Sequence, residues 1–78
     1  MIKPSQCRAA RGLLDWTQAE LAAGSRVGIS TVRRFEQGQQ IPIRNNLAAI
    51  RVALEKAGVK FIAAGKGGGP GVRLKART

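Results

Sequence analysis

The stretch Trp16-Thr17-Gln18-Ala19-Glu20-Leu21 constrains this chain more than any other. Thr17 followed three residues later by Glu20 is the pattern of a capping box. The threonine hydroxyl accepts from the third amide of a new helix, and the glutamate reaches back to the amide of Thr17. Trp16 just outside the cap and Leu21 just inside it supply the apolar pair that sets the angle of entry. A short helix over residues 18–24 is predicted. Gly24, Ser25, Arg26, Val27 and Gly28 interrupt it, and Ile29 to Gln37 regains helical character until Gly38, a residue suited to the left-handed position that ends a helix. Two short helices must then pack across a turn of a few residues, which is the bare description of a helix-turn-helix.

The flanking sequence supplies more helix. Residues 4–14 place Pro4 in an opening turn, where its missing amide is tolerated, and set Cys7, Ala10 and Leu14 on one stripe. Residues 39–44 read as a loop around Pro42. Leu47, Ile50, Leu54 and Ala57 then form an apolar stripe that stops at Gly58. Beyond it, Val59 to Ala63 and Val72 to Leu74 read as extended around a glycine-rich Gly65–Gly71 stretch containing Pro70. The expectation is an all-α bundle of about four helices over residues 1–58. Residues 59–78 form an extended, glycine-rich basic segment, expected as a short mobile hairpin, a dimerisation arm or a flexible tail. Trp16, Leu21, Val32 and Phe35 are expected in the core. With 78 residues that core is thin, and a homodimer is expected.

Fourteen Lys and Arg stand against four Asp and Glu, a formal charge of +10, so the expected partner is a polyanion, nucleic acid first. Arg8, Arg11, Arg51 and Lys56 are expected as solvated charge, and Arg44 and Arg51 as cations without nearby partners. With no His, one Cys and four scattered acids, no acid–base or nucleophile pair and no metal-ligand set is expected. Neither an enzyme nor a cofactor or small-molecule site is predicted. Cys7 is expected to be a small buried residue. The Gly-Lys-Gly-Gly-Gly-Pro-Gly run lacks the G-x-x-x-x-G-K-[ST] spacing of a phosphate loop. No apolar run approaches the roughly 20 residues of a membrane span, and no signal-peptide core follows Met1. A soluble cytoplasmic protein is expected.

Thr17-Gln18, Leu21-Ala22, Val27, Ser30-Thr31-Val32 and Glu36-x-Gly38 together resemble the helix-turn-helix of the phage repressor and Cro-like family, also called the xenobiotic-response-element type. The likeness is close over residues 16–38 and looser over 6–57. It implies a lambda-repressor-like fold and a sequence-specific DNA-binding transcriptional regulator on double-stranded DNA, a repressor in the first reading. An antitoxin that binds a toxin partner and autoregulates its operon is the alternative. The resemblance assigns base reading in the major groove to Ile29, Ser30, Arg33 and Arg34 on the helix 29–37. It assigns phosphate positioning to Gln18 first, then Thr31, Gln37, Gln39, Arg44 and Asn46. Arg44 has the minor groove as an alternative. The chain departs from the family twice. Arg26 stands where the turn usually has glycine, so either the turn differs or its strain is offset. Gly28 stands where Ser or Thr usually caps the reading helix.

Overall fold

Helix α1 (Pro4–Leu14), α2 (Gln18–Ser25), α3 (Ile29–Glu36) and α4 (Arg44–Lys56) are followed by β1 (Val59–Ile62) and β2 (Gly71–Leu74). The computed structural model describes residues 1–75, so Arg77, near the end of the basic segment, lies outside the described residues. Four helices and a small C-terminal hairpin are the architecture expected.

Each boundary has a local cause. Pro4 opens α1, and the Gln6 side-chain oxygen accepts from the Lys3 amide at 2.8 Å. Asp15 ends α1 in the left-handed region, φ 55°, and the Trp16 amide closes the turn on the Arg11 carbonyl at 2.9 Å. The capping box of α2 forms as predicted, with Glu20 N–H to Thr17 Oγ1 at 3.0 Å and Thr17 N–H to Glu20 Oε1 at 2.9 Å. Trp16 lies half-buried against the core, its ring within 3.7 Å of where a Cβ on Gly24 would sit. Arg26 does adopt the left-handed conformation, φ 57°, and its amide donates to Ala22 O. The turn therefore has the shape glycine usually provides, held here by a residue with a Cβ. Helix α3 ends with Gly38 at φ 74° and α4 with Gly58 at φ 115°, both conformations that favour glycine.

The core is a cluster of Ile2, Cys7, Ala10, Leu21, Val27, Val32, Phe35, Leu47, Ile50, Leu54 and Val59. The four helices contribute ten of its members between them and their flanks, and β1 the last. Helix α2 packs on α3 and α4, α1 packs on α3, and the hairpin packs on α1 and α4. The strands are antiparallel in the register Val59↔Leu74, Lys60↔Arg73, Phe61↔Val72 and Ile62↔Gly71. Val59 is fully buried, and Gln6 of α1 donates to Gly71 O at 3.1 Å, so the hairpin is seated on the helices.

Two expectations about charge are corrected. Arg11 is not solvated: its Nε and Nη2 donate to the two carboxylate oxygens of Glu36, each at 2.7 Å, and Nη1 donates to Trp16 O at 3.0 Å. Glu36 is 2 % exposed, and a buried carboxylate needs such partners. Gln18 Nε2 at 3.0 Å and the Cys7 thiol at 3.1 Å complete its shell, and Arg8 donates to the Glu36 carbonyl. Cys7 is thus buried as expected but is also a donor. Nor does Arg51 lack a partner: Glu55, one turn on, accepts from it at 3.2 Å, and its guanidinium lies 5.4 Å from the centre of the Phe61 ring.

Candidate nucleic-acid interface

Helix α3 buries Val32, Phe35 and Glu36. At about 100° per residue these three occupy one arc, and the opposite arc belongs to Ser30, Arg34 and Gln37, with Arg33 beside them. Ser30, Arg33, Arg34 and Gln37 are all exposed, and none makes a side-chain hydrogen bond or ion pair to the described residues. Ile29 and Thr31 sit on the two flanks of the arc, half-buried. Three of the four expected base readers therefore lie on the free ridge, and Ile29 stands at its edge. Gln37, expected as a phosphate contact, lines up with Ser30 and Arg34 at the ridge's far end.

Gly28 caps α3 with its carbonyl alone, which accepts from the amides of Thr31 at 3.0 Å and Val32 at 3.1 Å. No side chain caps this end. Arg33 and Arg34 fall in the last turn, where they also complement the negative end of the helix dipole.

Gln18 is the first residue of α2 and half-buried. A phosphate oxygen can only accept, so only the Nε2 hydrogens of Gln18 are of use to it, and one of the two is held by Glu36. That bond orients the amide and leaves one hydrogen free. Gln39 and Arg44 are exposed and Asn46 is half-buried, with Arg44 opening α4. Between them Ile41 and Ile43 are 78 % and 68 % exposed around a buried Pro42.

Three of the four acids are engaged away from this ridge: Glu36 is held by Arg11, Glu55 by Arg51 and Glu20 by its cap, while Asp15 ends α1 without an ion pair among the described residues. Burial pushes the Glu36 carboxyl up, but the hydrogen bonds from Arg11, Gln18 and Cys7 outweigh it and hold the group below the ordinary carboxylate value. The same hydrogen bond raises Arg11, and burial followed by the Glu36 hydrogen bond and charge pushes the Cys7 thiol up. Glu36 thereby ties α1 and the first residue of α2 to the end of α3. Sequence reading missed this hub, although Glu36 lies four residues after Val32 and so on the same inward face.

Among the described residues no helix is long and apolar enough to cross a membrane, and no group of three His, Cys, Asp or Glu is placed to hold a metal ion. Compared with known families, the chain matches the one described as "Helix-turn-helix" over residues 8–58. No curated protein matches it significantly.

Proposed function

The chain belongs to the helix-turn-helix family, a family of DNA-binding transcription regulators, and on that premise we propose that it is a repressor that binds a pseudo-palindromic operator as a homodimer and reads the major groove with α3. The observation that carries this reading is the ridge of Ser30, Arg33, Arg34 and Gln37, exposed and free of internal partners on a helix whose other face is locked into the core. A groove about 12 Å wide admits one helix, and arginine can bond a guanine at O6 and N7 together, worth roughly 1–3 kcal/mol of discrimination. Arg34, nearer the centre of the ridge than Arg33, is the leading base reader. Ser30 contacts a base edge, and Ile29 meets a thymine methyl. Gln18, held by Glu36, grips a phosphate beside the second helix's free amides. Thr31, Gln37, Gln39, Arg44 and Asn46 add contacts that fix register without reading sequence. Two such subunits place their reading helices about one helical turn apart, roughly 34 Å.

Selection of bound duplexes from a random pool tests the reading. It is expected to yield paired half-sites at that spacing. On the selected duplex, Arg34→Ala is expected to lose roughly 1–3 kcal/mol at one base position only, whereas Gln18→Ala weakens binding to all sequences alike. Equal loss on selected and random DNA for Arg34→Ala would remove that residue from the reading set.

A further inference from the structure

The hairpin carries a cationic cluster that the reading helix does not use. Side chains alternate across a strand. Lys60 stands opposite Arg73, and the Lys75 amide bonds the Gly58 carbonyl at 2.8 Å, so Lys60, Arg73 and Lys75 share one face. Val59, Phe61 and Val72, of opposite parity, pack into the core. All three cations are exposed, none has an ion-pair partner among the described residues, and with Leu74 they line an open groove of about 590 Å³. Like charges directly opposite on a sheet are destabilising. No acid among the described residues compensates them, because Glu36 and Glu55 are taken by Arg11 and Arg51, Glu20 by the α2 cap, and Asp15 makes no ion pair.

This face is separate from the α3 ridge. On α1, Gln6 bonds Gly71 of the hairpin, while Arg8 and Arg11 bond Glu36 of α3. At about 100° per residue, Arg8 and Arg11 point some 140–160° away from Gln6. Helix α1 therefore stands between α3 and the sheet, and the outer face of the sheet is turned away from both.

We propose that Lys60, Arg73 and Lys75 form a second DNA-binding surface, which takes the phosphate backbone of a duplex segment other than the one α3 reads. The proposal rests on the reading of α3 as the first DNA surface. Residues two apart on a strand are about 6.8 Å apart, so Arg73 and Lys75 are spaced to meet different phosphates. Contacts to the phosphate backbone carry no sequence information, so binding at this face is indifferent to sequence.

The test uses the full chain, one biotin-tagged duplex of selected sequence on beads, and a second, fluorescent duplex of random sequence. The wild type is expected to hold both. The variant Lys60→Gln/Arg73→Gln/Lys75→Gln is expected to hold the tethered duplex, which shows α3 still reads, and to retain the second duplex no better than bare beads. With α3 occupied by the tethered duplex, the wild type's log–log salt slope for capture of the second duplex is expected to be about −2.7, or roughly −0.9 for each phosphate neutralised. All three side chains are exposed, and an unchanged far-UV spectrum verifies the fold. Retention of the second duplex by the triple variant, or its absence in the wild type, overturns the proposal. So does triple-variant-sensitive binding to phosphatidylserine vesicles without capture of a second duplex, which would assign the face to a membrane surface.

Discussion

Replacing Glu36 with glutamine keeps its size and removes its charge, and the four hydrogen bonds on its carboxylate set the cost. One carboxylate oxygen accepts from Arg11 Nη2 and Gln18 Nε2, the other from Arg11 Nε and Cys7 Sγ. An amide presents an NH2 group at one of these two positions, whichever way it turns. Gln18 can flip its own amide to accept, and Cys7 can turn its hydrogen aside. Arg11 is a donor at both positions and cannot adapt, so one charged hydrogen bond is broken in either orientation. The Arg11 side chain, 20 % exposed, is also left without its counter-charge. Breaking a buried pair by removing one partner costs about 3–5 kcal/mol; the partial exposure of Arg11 puts Glu36→Gln at the lower end, about 3 kcal/mol. For a domain of this size, stable by about 4–12 kcal/mol at 0.05–0.15 kcal/mol per residue, that is a large fraction. It corresponds to a fall in Tm of about 12–24 °C. Urea unfolding followed by circular dichroism measures it. The pH profile supplies an independent check. The folded-state pKa of Glu36 is depressed, so its stabilisation is present above the unfolded value of about 4.3 and is lost as pH falls through the folded pKa. The glutamine variant is expected to lose this acid limb. A cost below about 1 kcal/mol, or an acid limb unchanged in the variant, would refute the reasoning that a desolvated charge pair holds the three helices.

Two further outcomes concern single sites. Cys7 is fully buried and its thiol is pushed up in pKa, so a thiol reagent should label native protein only as fast as the domain opens, and fast stoichiometric labelling at neutral pH would contradict that burial. The same shift adds an alkaline limb: its stabilisation is whole below the unfolded thiol value of about 8.5 and declines as pH rises above it towards the folded pKa. Gly28→Ser should raise stability by a few tenths of a kcal/mol, because the backbone there is φ −58°, ψ 143° and a Cβ would meet nothing nearer than Thr31 Oγ1 at 4.0 Å; a loss in urea unfolding would contradict the cap geometry.

The elements whose ends are decided by neighbours in sequence were legible. Pro4, the Thr17–Glu20 box, Gly38 and Gly58 each act within a turn, and the helices begin and end beside them. Exposure of Ser30, Arg33 and Arg34 also followed from period alone, since Val32 and Phe35 claim the other face. The Glu36 hub was not legible in its partners, because Gln18, Arg11 and Cys7 lie 18, 25 and 29 residues away and only the packing of α1 and α2 against α3 brings them together. The inward position of Glu36 was open to the same periodicity, and Glu55 stood at the i+4 position from Arg51. Both pairings escape a reading that takes charge as solvated. The hairpin could be anticipated from its extended runs and glycines. Its seat could not, since the burial of Val59 depends on α1 and α4 together.

How the chain distributes its charge connects stability with binding. Two of its cations, Arg11 and Arg51, are matched by acids within the fold, and Arg11 is the one that needed to be, because it is desolvated. The ridge of α3 and the outer face of the hairpin keep theirs unmatched and in water. A formal charge of +10 works against compactness through self-repulsion, and the thin core has little to set against that. On the proposed reading, DNA bound at these two surfaces relieves the repulsion, so the unmatched cations destabilise the free protein and stabilise the complex. Glu36 joins the two demands. The carboxylate that makes burial of Arg11 tolerable is the one that holds Gln18 at the head of α2 and anchors the end of α3, so an ion pair in the interior sets the spacing between Gln18 and the exposed ridge of α3, the two elements to which the proposed function assigns phosphate contact and base reading.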